Sequence, residues 1–75
     1  MNQINFASII LDKPLVNEKT TMQIQSGDYL RGFLSQLKIN PGFSFIILVN
    51  GVVSDGDYCV QAGDVIHCLP QITGG

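Results

Sequence analysis

One segment of this chain has the period of a helix, and nearly everything around it has the period of strands. Leu30, Phe33, Leu34 and Leu37 recur at i, i+3, i+4 and i+7, a single apolar stripe. Arg31, Ser35, Gln36 and Lys38 fall off it. The spacing predicts a helix of about ten residues. Asp28 is placed to cap its start, Lys38 to favour its C-terminal end, and Asn40-Pro41-Gly42 to stop it. A helix with one apolar stripe has to bury that stripe, and the flanking segments offer a sheet. Residues 3–11 are apolar on both faces, with Ile4, Phe6 and Ile10 on one side and Ala7, Ile9 and Leu11 on the other. That pattern fits a strand with neighbours on both sides. Asp12-Lys13-Pro14 breaks it. Residues 18–25 alternate cleanly, Thr20, Met22 and Ile24 against Lys19, Thr21, Gln23 and Gln25, as a half-buried strand does.

Beyond the helix, Ser44–Val49 is aromatic and β-branched and runs into Asn50-Gly51, the strongest short hairpin signal. Val52-Val53 returns briefly. Tyr58-Cys59-Val60 reads as a short irregular or strand segment between two turns. Residues 65–69 form the last strand, which Pro70 is expected to end. The order is β-β-α-β-β-β, an α+β arrangement of one helix packed on a mixed sheet of four or five strands. This is the plan of the β-grasp, or ubiquitin-like, fold. It divides the chain into a domain over residues 1–70 and a flexible tail over 71–75.

Composition narrows the function. Seventy-five residues make one small domain. The net charge of -2 excludes a dedicated nucleic-acid binder and removes any electrostatic pull toward anionic membranes. The longest apolar run, residues 45–49, is far short of a membrane span. No basic region precedes an apolar one before Lys13, which argues against a signal peptide. Only 13% of residues are charged, so the exterior must be neutral polar or apolar. It is either bland or a place where something docks.

Individual residues offer little catalysis. Cys59 and Cys68 read as reduced thiols of a cytoplasmic protein, both more at home in the core than in a site. Cys59, His67 and Cys68 match no zinc spacing, and adjacent strand residues point to opposite faces, so no metal site is expected. The same alternation puts Ile66 and Cys68 toward the helix and Val65, His67 and Leu69 outward. His67 is then a rim histidine. Asp55, Asp57 and Asp64 lack the calcium-loop pattern and fit turns. Val65 and Leu69, with alternate residues of 45–49, make an expected apolar patch on the sheet face away from the helix.

The sequence ends Leu69-Pro70-Gln71-Ile72-Thr73-Gly74-Gly75. With the Val49-Asn50-Gly51 hairpin and the Gly63-Asp64 turn, this end resembles the ubiquitin-like sulfur-carrier family. That family includes the small subunit of molybdopterin synthase and the thiamin sulfur carrier. The resemblance is sharp over about the last thirty residues and architectural before them. Leu30, Leu34 and Leu37 also fit the family's Leu-rich helix. Gln71 departs from it, standing where many molybdopterin-type members have a second proline.

The resemblance implies a protein cosubstrate rather than an enzyme, with no cofactor of its own. The carboxylate of Gly75 would be adenylated by an E1-like adenylyltransferase that brings ATP and Mg²⁺. Sulfur then replaces AMP, and the thiocarboxylate serves a synthase. A molybdopterin synthase large subunit (or its tungsten counterpart) is favoured, a thiazole synthase next. Gly74, lacking a Cβ, gives clearance in a narrow cleft. Ile72 anchors the tail, Thr73 pairs with a partner strand, and Val65, Leu69 and Pro70 belong to the docking surface. Two rivals share part of this pattern. One is a ubiquitin-like modifier conjugated through Gly75, the other a β-grasp binding module whose glycines are incidental.

Overall fold

The computed structural model of the chain describes residues 5–71. Strands β1 (Phe6–Leu11) and β2 (Thr20–Gln25) form an antiparallel pair. Helix α1 (Leu30–Ser35) follows, then β3 (Ser44–Val49), β4 (Val52–Ser54) and β5 (Val65–Gln71). The five strands make one sheet in the order β2-β1-β5-β3-β4. β1 runs parallel to β5, and the other neighbours are antiparallel, so the sheet is mixed. The described chain is thus α+β, with a five-stranded mixed sheet and one short helix.

Period-2 patterning accounts for the layers. Ala7, Ile9 and Leu11 of β1, Ile24 of β2, Ile47 and Val49 of β3, and Ile66 and Cys68 of β5 are all buried on one face. Leu30 of α1, Leu15 and Val60 close the core over them, with Phe33, Leu34, Leu37 and Ile39 packed alongside. The helical stripe therefore faces the sheet, although the regular helix spans six residues. Gly32 lies inside it, where glycine costs up to about 1 kcal/mol relative to alanine. The stripe's last members follow in a tightened turn, with Gln36 N–H bonded to Phe33 O and Leu37 N–H to Leu34 O, each at 3.1 Å. Asn40 then ties the chain to the β1–β2 loop. Its backbone N–H reaches Leu15 O and its Nδ2 reaches Pro14 O, both at 2.8 Å.

The helix start corrects the expected cap. Asp28 does not cap it. Tyr29 holds the N-cap position with extended backbone and no side-chain hydrogen bond. The free amides of the first turn are taken by a distant loop instead. Leu30 N–H donates to Tyr58 O (3.1 Å) and Arg31 N–H to Gly56 O (2.9 Å). Asp28 contributes its carbonyl, which accepts Val60 N–H at 2.9 Å. Residues 58–60 are thus a splint on the helix entry, and Tyr29 and Cys59 form an isolated antiparallel bridge.

The last strand also differs from expectation. Pro70 does not end it, since β5 continues through Pro70 and Gln71, paired with Phe45 and Ser44. Asp12 N–H donates to Cys68 O at 3.3 Å, so even-numbered β5 residues turn their backbone groups toward β1. The β1–β5 pairing stops at Leu11 and Cys68. The missing N–H of Pro70 therefore points where β1 offers no paired residue, and no ladder bond is lost.

Candidate functional site

The sheet face away from the helix carries two of the expected site residues, Val65 and Leu69, whereas Pro70, paired with Phe45, falls on the helix side. Cross-strand partners share a face, so the register assigns the members of the open face directly. Val65, His67, Leu69 and Gln71 of β5 lie there. So do Ser44, Ile46 and Leu48 of β3, Val53 of β4, Phe6, Ser8 and Ile10 of β1, and Thr21, Gln23 and Gln25 of β2. Val65 is 49% exposed and Val53 69%, while Leu69, Ile46 and Leu48 are half-buried among their neighbours. Opposed pairs Ile46–Leu69 and Leu48–Val53 join these side chains into a continuous apolar strip across β5, β3 and β4. A depression of about 340 Å³ beside Val65 is lined by Phe6, Ser8 and Gln23, among others.

A buried carboxylate holds the top of β5. Asp64 is 7% exposed. Its Oδ1 accepts from Asn50 Nδ2 (2.9 Å), and its Oδ2 accepts from Tyr58 OH (2.6 Å) and Gln61 N–H (2.9 Å). Burial alone would raise the Asp64 pKa. The hydrogen bonds from Tyr58, Gln61 and Asn50 outweigh it and hold the carboxyl below its ordinary value. The Tyr58 hydroxyl is pushed up, chiefly by donating to Asp64. Asn50 completes the clamp, because its Oδ1 accepts Val65 N–H at 2.9 Å. Asn50 and Gly51 both have positive φ, 52° and 83°, as a type I′ hairpin turn requires. One asparagine thus makes the β3–β4 turn and fixes the start of β5. Asp64 does more than the turn role expected of it, and the Gly-Asp dipeptide carried no sign of the distant Tyr58 and Asn50.

On the open face, His67 Nε2 lies 2.9 Å from Asp12 Oδ2. Lys19 Nζ is 3.9 Å from the other oxygen of the same carboxylate. The histidine is half-exposed, as a rim residue, but it has a partner that only the β1–β5 register brings near. Cys68 is fully buried, and burial pushes its thiol up to about 11. Cys59 is exposed, which corrects the expectation that both cysteines sit in the core. Among the described residues no group of three or more His, Cys, Asp or Glu could hold a metal ion. Nor is any helix among them long and apolar enough to cross a membrane.

Of the residues expected to act, Val65 and Leu69 are on the open face, and Pro70 is half-buried within β5. Ile72, Thr73, Gly74 and Gly75 lie outside the described residues. No family model matches the chain, and no curated protein does either.

Proposed function

We propose that this chain is a β-grasp sulfur carrier, a cosubstrate whose Gly75 carboxylate is charged by a partner. The observation that carries the reading is the placement of β5. The last strand lies in the middle of the sheet, between parallel β1 and antiparallel β3, and its outward side chains join the apolar strip. A tail that follows such a strand is held at its root, beside a surface able to dock a larger protein. The resemblance of the Leu69–Gly75 segment to the sulfur-carrier family supplies the chemistry. Above an α-carboxyl pKa of about 3.3–3.7, Gly75 presents a carboxylate. It attacks the α-phosphorus of ATP on an E1-like enzyme, and pyrophosphate leaves. A sulfur nucleophile then displaces AMP. Mg²⁺ and cationic groups of that enzyme stabilise the phosphate charge. The product serves a synthase of the molybdopterin or tungsten cofactor, or failing that of the thiamin thiazole. The proposed setting is the cytoplasm, where the free thiols of Cys59 and Cys68 stay reduced.

The decisive experiment incubates the chain with its activating enzyme, ATP, Mg²⁺ and a sulfur donor, and weighs the product intact. Replacement of one oxygen by sulfur at Gly75 is the expected result. Isopeptide conjugates on target lysines, with no thiocarboxylate, would transfer the chain to the modifier class. Gly74→Ala should leave the fold intact and sharply lower pyrophosphate exchange; unchanged exchange removes the clearance argument.

A further inference from the structure

The sheet has two edges, and they are unequally protected. β4 is three residues long, which limits what can pair with it. β2 is six residues, TTMQIQ, with no charge, no proline and no break in its register against β1. Long, uncharged edges are templates for another strand. The backbone shows which groups are on offer. Ser26 N–H donates to Asn5 O at 2.8 Å, so even-numbered residues of β2 bond to β1. Thr21, Gln23 and Gln25 therefore aim their N–H and C=O groups at the free edge, and all three are exposed. Of these groups, Gln25 C=O already accepts Asp28 N–H at 3.3 Å, which leaves it a second lone pair.

We propose that two copies of this chain associate through β2, antiparallel, about a two-fold axis at Gln23. Among the described residues only the odd-numbered ones of β2 aim backbone groups away from β1, so pairs must join odd to odd. A shift of one residue would also turn the helix-covered face of one copy against the open face of the other. The register centred on Gln23 pairs Gln23 with itself and Thr21 with Gln25, which engages all three outward residues in each copy. Shifting it by two leaves either Gln25 or Thr21 unused, depending on the direction. On the helix side the same register sets half-buried Met22 opposite Ile24 of the second copy. Amide thus meets amide and apolar meets apolar. The pairing ends at Gln25, because Gly27 N–H already donates to Val60 O at 2.8 Å. These matches favour a second copy over a foreign peptide. Val65 and Leu69 are two strands away and stay uncovered, so the association is independent of the carrier reading.

Sedimentation equilibrium of the full chain up to ~1 mM, the Kd scale of weak association, tests it. The mass should rise with concentration toward twice the 8.2 kDa of one chain. Gln23→Lys sets like charges face to face on the axis and should return the mass to one chain, whereas Val53→Lys on β4 should change nothing. In a Cys59→Ser background, Gln23→Cys should oxidise to a symmetric disulfide, since paired Cα atoms lie about 5.5 Å apart at such a site. Thr21→Cys should not. A mass of one chain at every concentration overturns the proposal. So does a dimer that survives Gln23→Lys, or a cross-link preferring position 21.

Discussion

Asp64→Asn is the sharpest test of how the top of β5 is held. The carboxylate accepts three hydrogen bonds, two from side chains of other segments and one from Gln61 N–H. An amide of the same shape keeps one acceptor oxygen and turns an NH₂ group toward a donor. At least one bond is lost and one contact becomes repulsive. Bonds to a charged group contribute roughly 1.5–3 kcal/mol each, but Asn50 and Gln61 are exposed and can be rehydrated. The expected cost is therefore nearer ~2 kcal/mol than the sum. A domain of this size has about 4–11 kcal/mol in all, and ~2 kcal/mol corresponds to a fall of about 8–16 °C in Tm.

The pH dependence gives the test its direction. The folded-state pKa of Asp64 is depressed, so the folded chain binds this proton less readily than the unfolded chain. Its contribution is fully present above the ordinary carboxylate value and is lost as pH falls through the lower folded value. Urea midpoints from pH 7 down to about 2 should fall more steeply below pH ~4 for the natural chain than for Asp64→Asn. If the two curves run parallel through that range, the Asp64 hub does not hold β5 in the way described. If the variant is destabilised only at low pH, the sign is wrong.

Three further outcomes follow from the same geometry. Val65→Asp should leave the monomer folded, because Val65 is half-exposed, yet weaken binding to the activating enzyme; an unmoved calorimetric affinity would remove the open face as its docking surface. Native protein at pH 8 should show one fast thiol, Cys59, against a disulfide reagent, with Cys68 reacting only on unfolding; equal rates would contradict its burial and raised pKa. Asn40→Ala removes the Nδ2 bond to Pro14 O and should cost about 1 kcal/mol, read as a lower urea midpoint at unchanged slope.

What was legible in the sequence was whatever depends on a neighbour two to four residues away. The alternation of β2 came through intact, with Met22 and Ile24 on the inner side. So did the outward assignment of Val65, His67 and Leu69, and the Asn50-Gly51 turn. Apart from the helix, which spans six residues where about ten were expected, the differences involve a segment distant in sequence. The helix start is capped by carbonyls of Gly56 and Tyr58, which no local rule places beside Leu30 and Arg31, so Asp28 looked like the better cap. Pro70 is tolerated because β1 has already stopped pairing, a fact about residues 11 and 12. Cys59 is exposed because residues 58–60 run along the helix entry rather than under it. Asp64 looked like a turn residue because two of its three donors, Asn50 and Tyr58, belong to other segments.

The low charge content, ambiguous in the sequence, acquires a location. Lys13, Glu18, Lys19, Asp28, Lys38, Asp55 and Asp57 stand outside the strands and helix, and Arg31 pairs with Asp57 on the helix side. The open-face positions of the five strands hold no Asp, Glu, Lys or Arg, and His67 is the one titratable group among them. A sheet face needs polar side chains if water is its permanent neighbour. On β2 and the outer end of β5 it has them, as Thr21, Gln23, Gln25 and Gln71. Between those limits Val65, Leu69, Ile46, Leu48 and Val53 are apolar; Leu69, Ile46 and Leu48 are half-buried against one another, while Val53 and Val65 face solvent. Fold stability alone would tolerate threonine or lysine at Val53, largely solvated, and threonine at half-exposed Val65. Under the proposed carrier reading, this apolar strip is the surface that a partner would cover, and it includes outward residues of β5, the last strand.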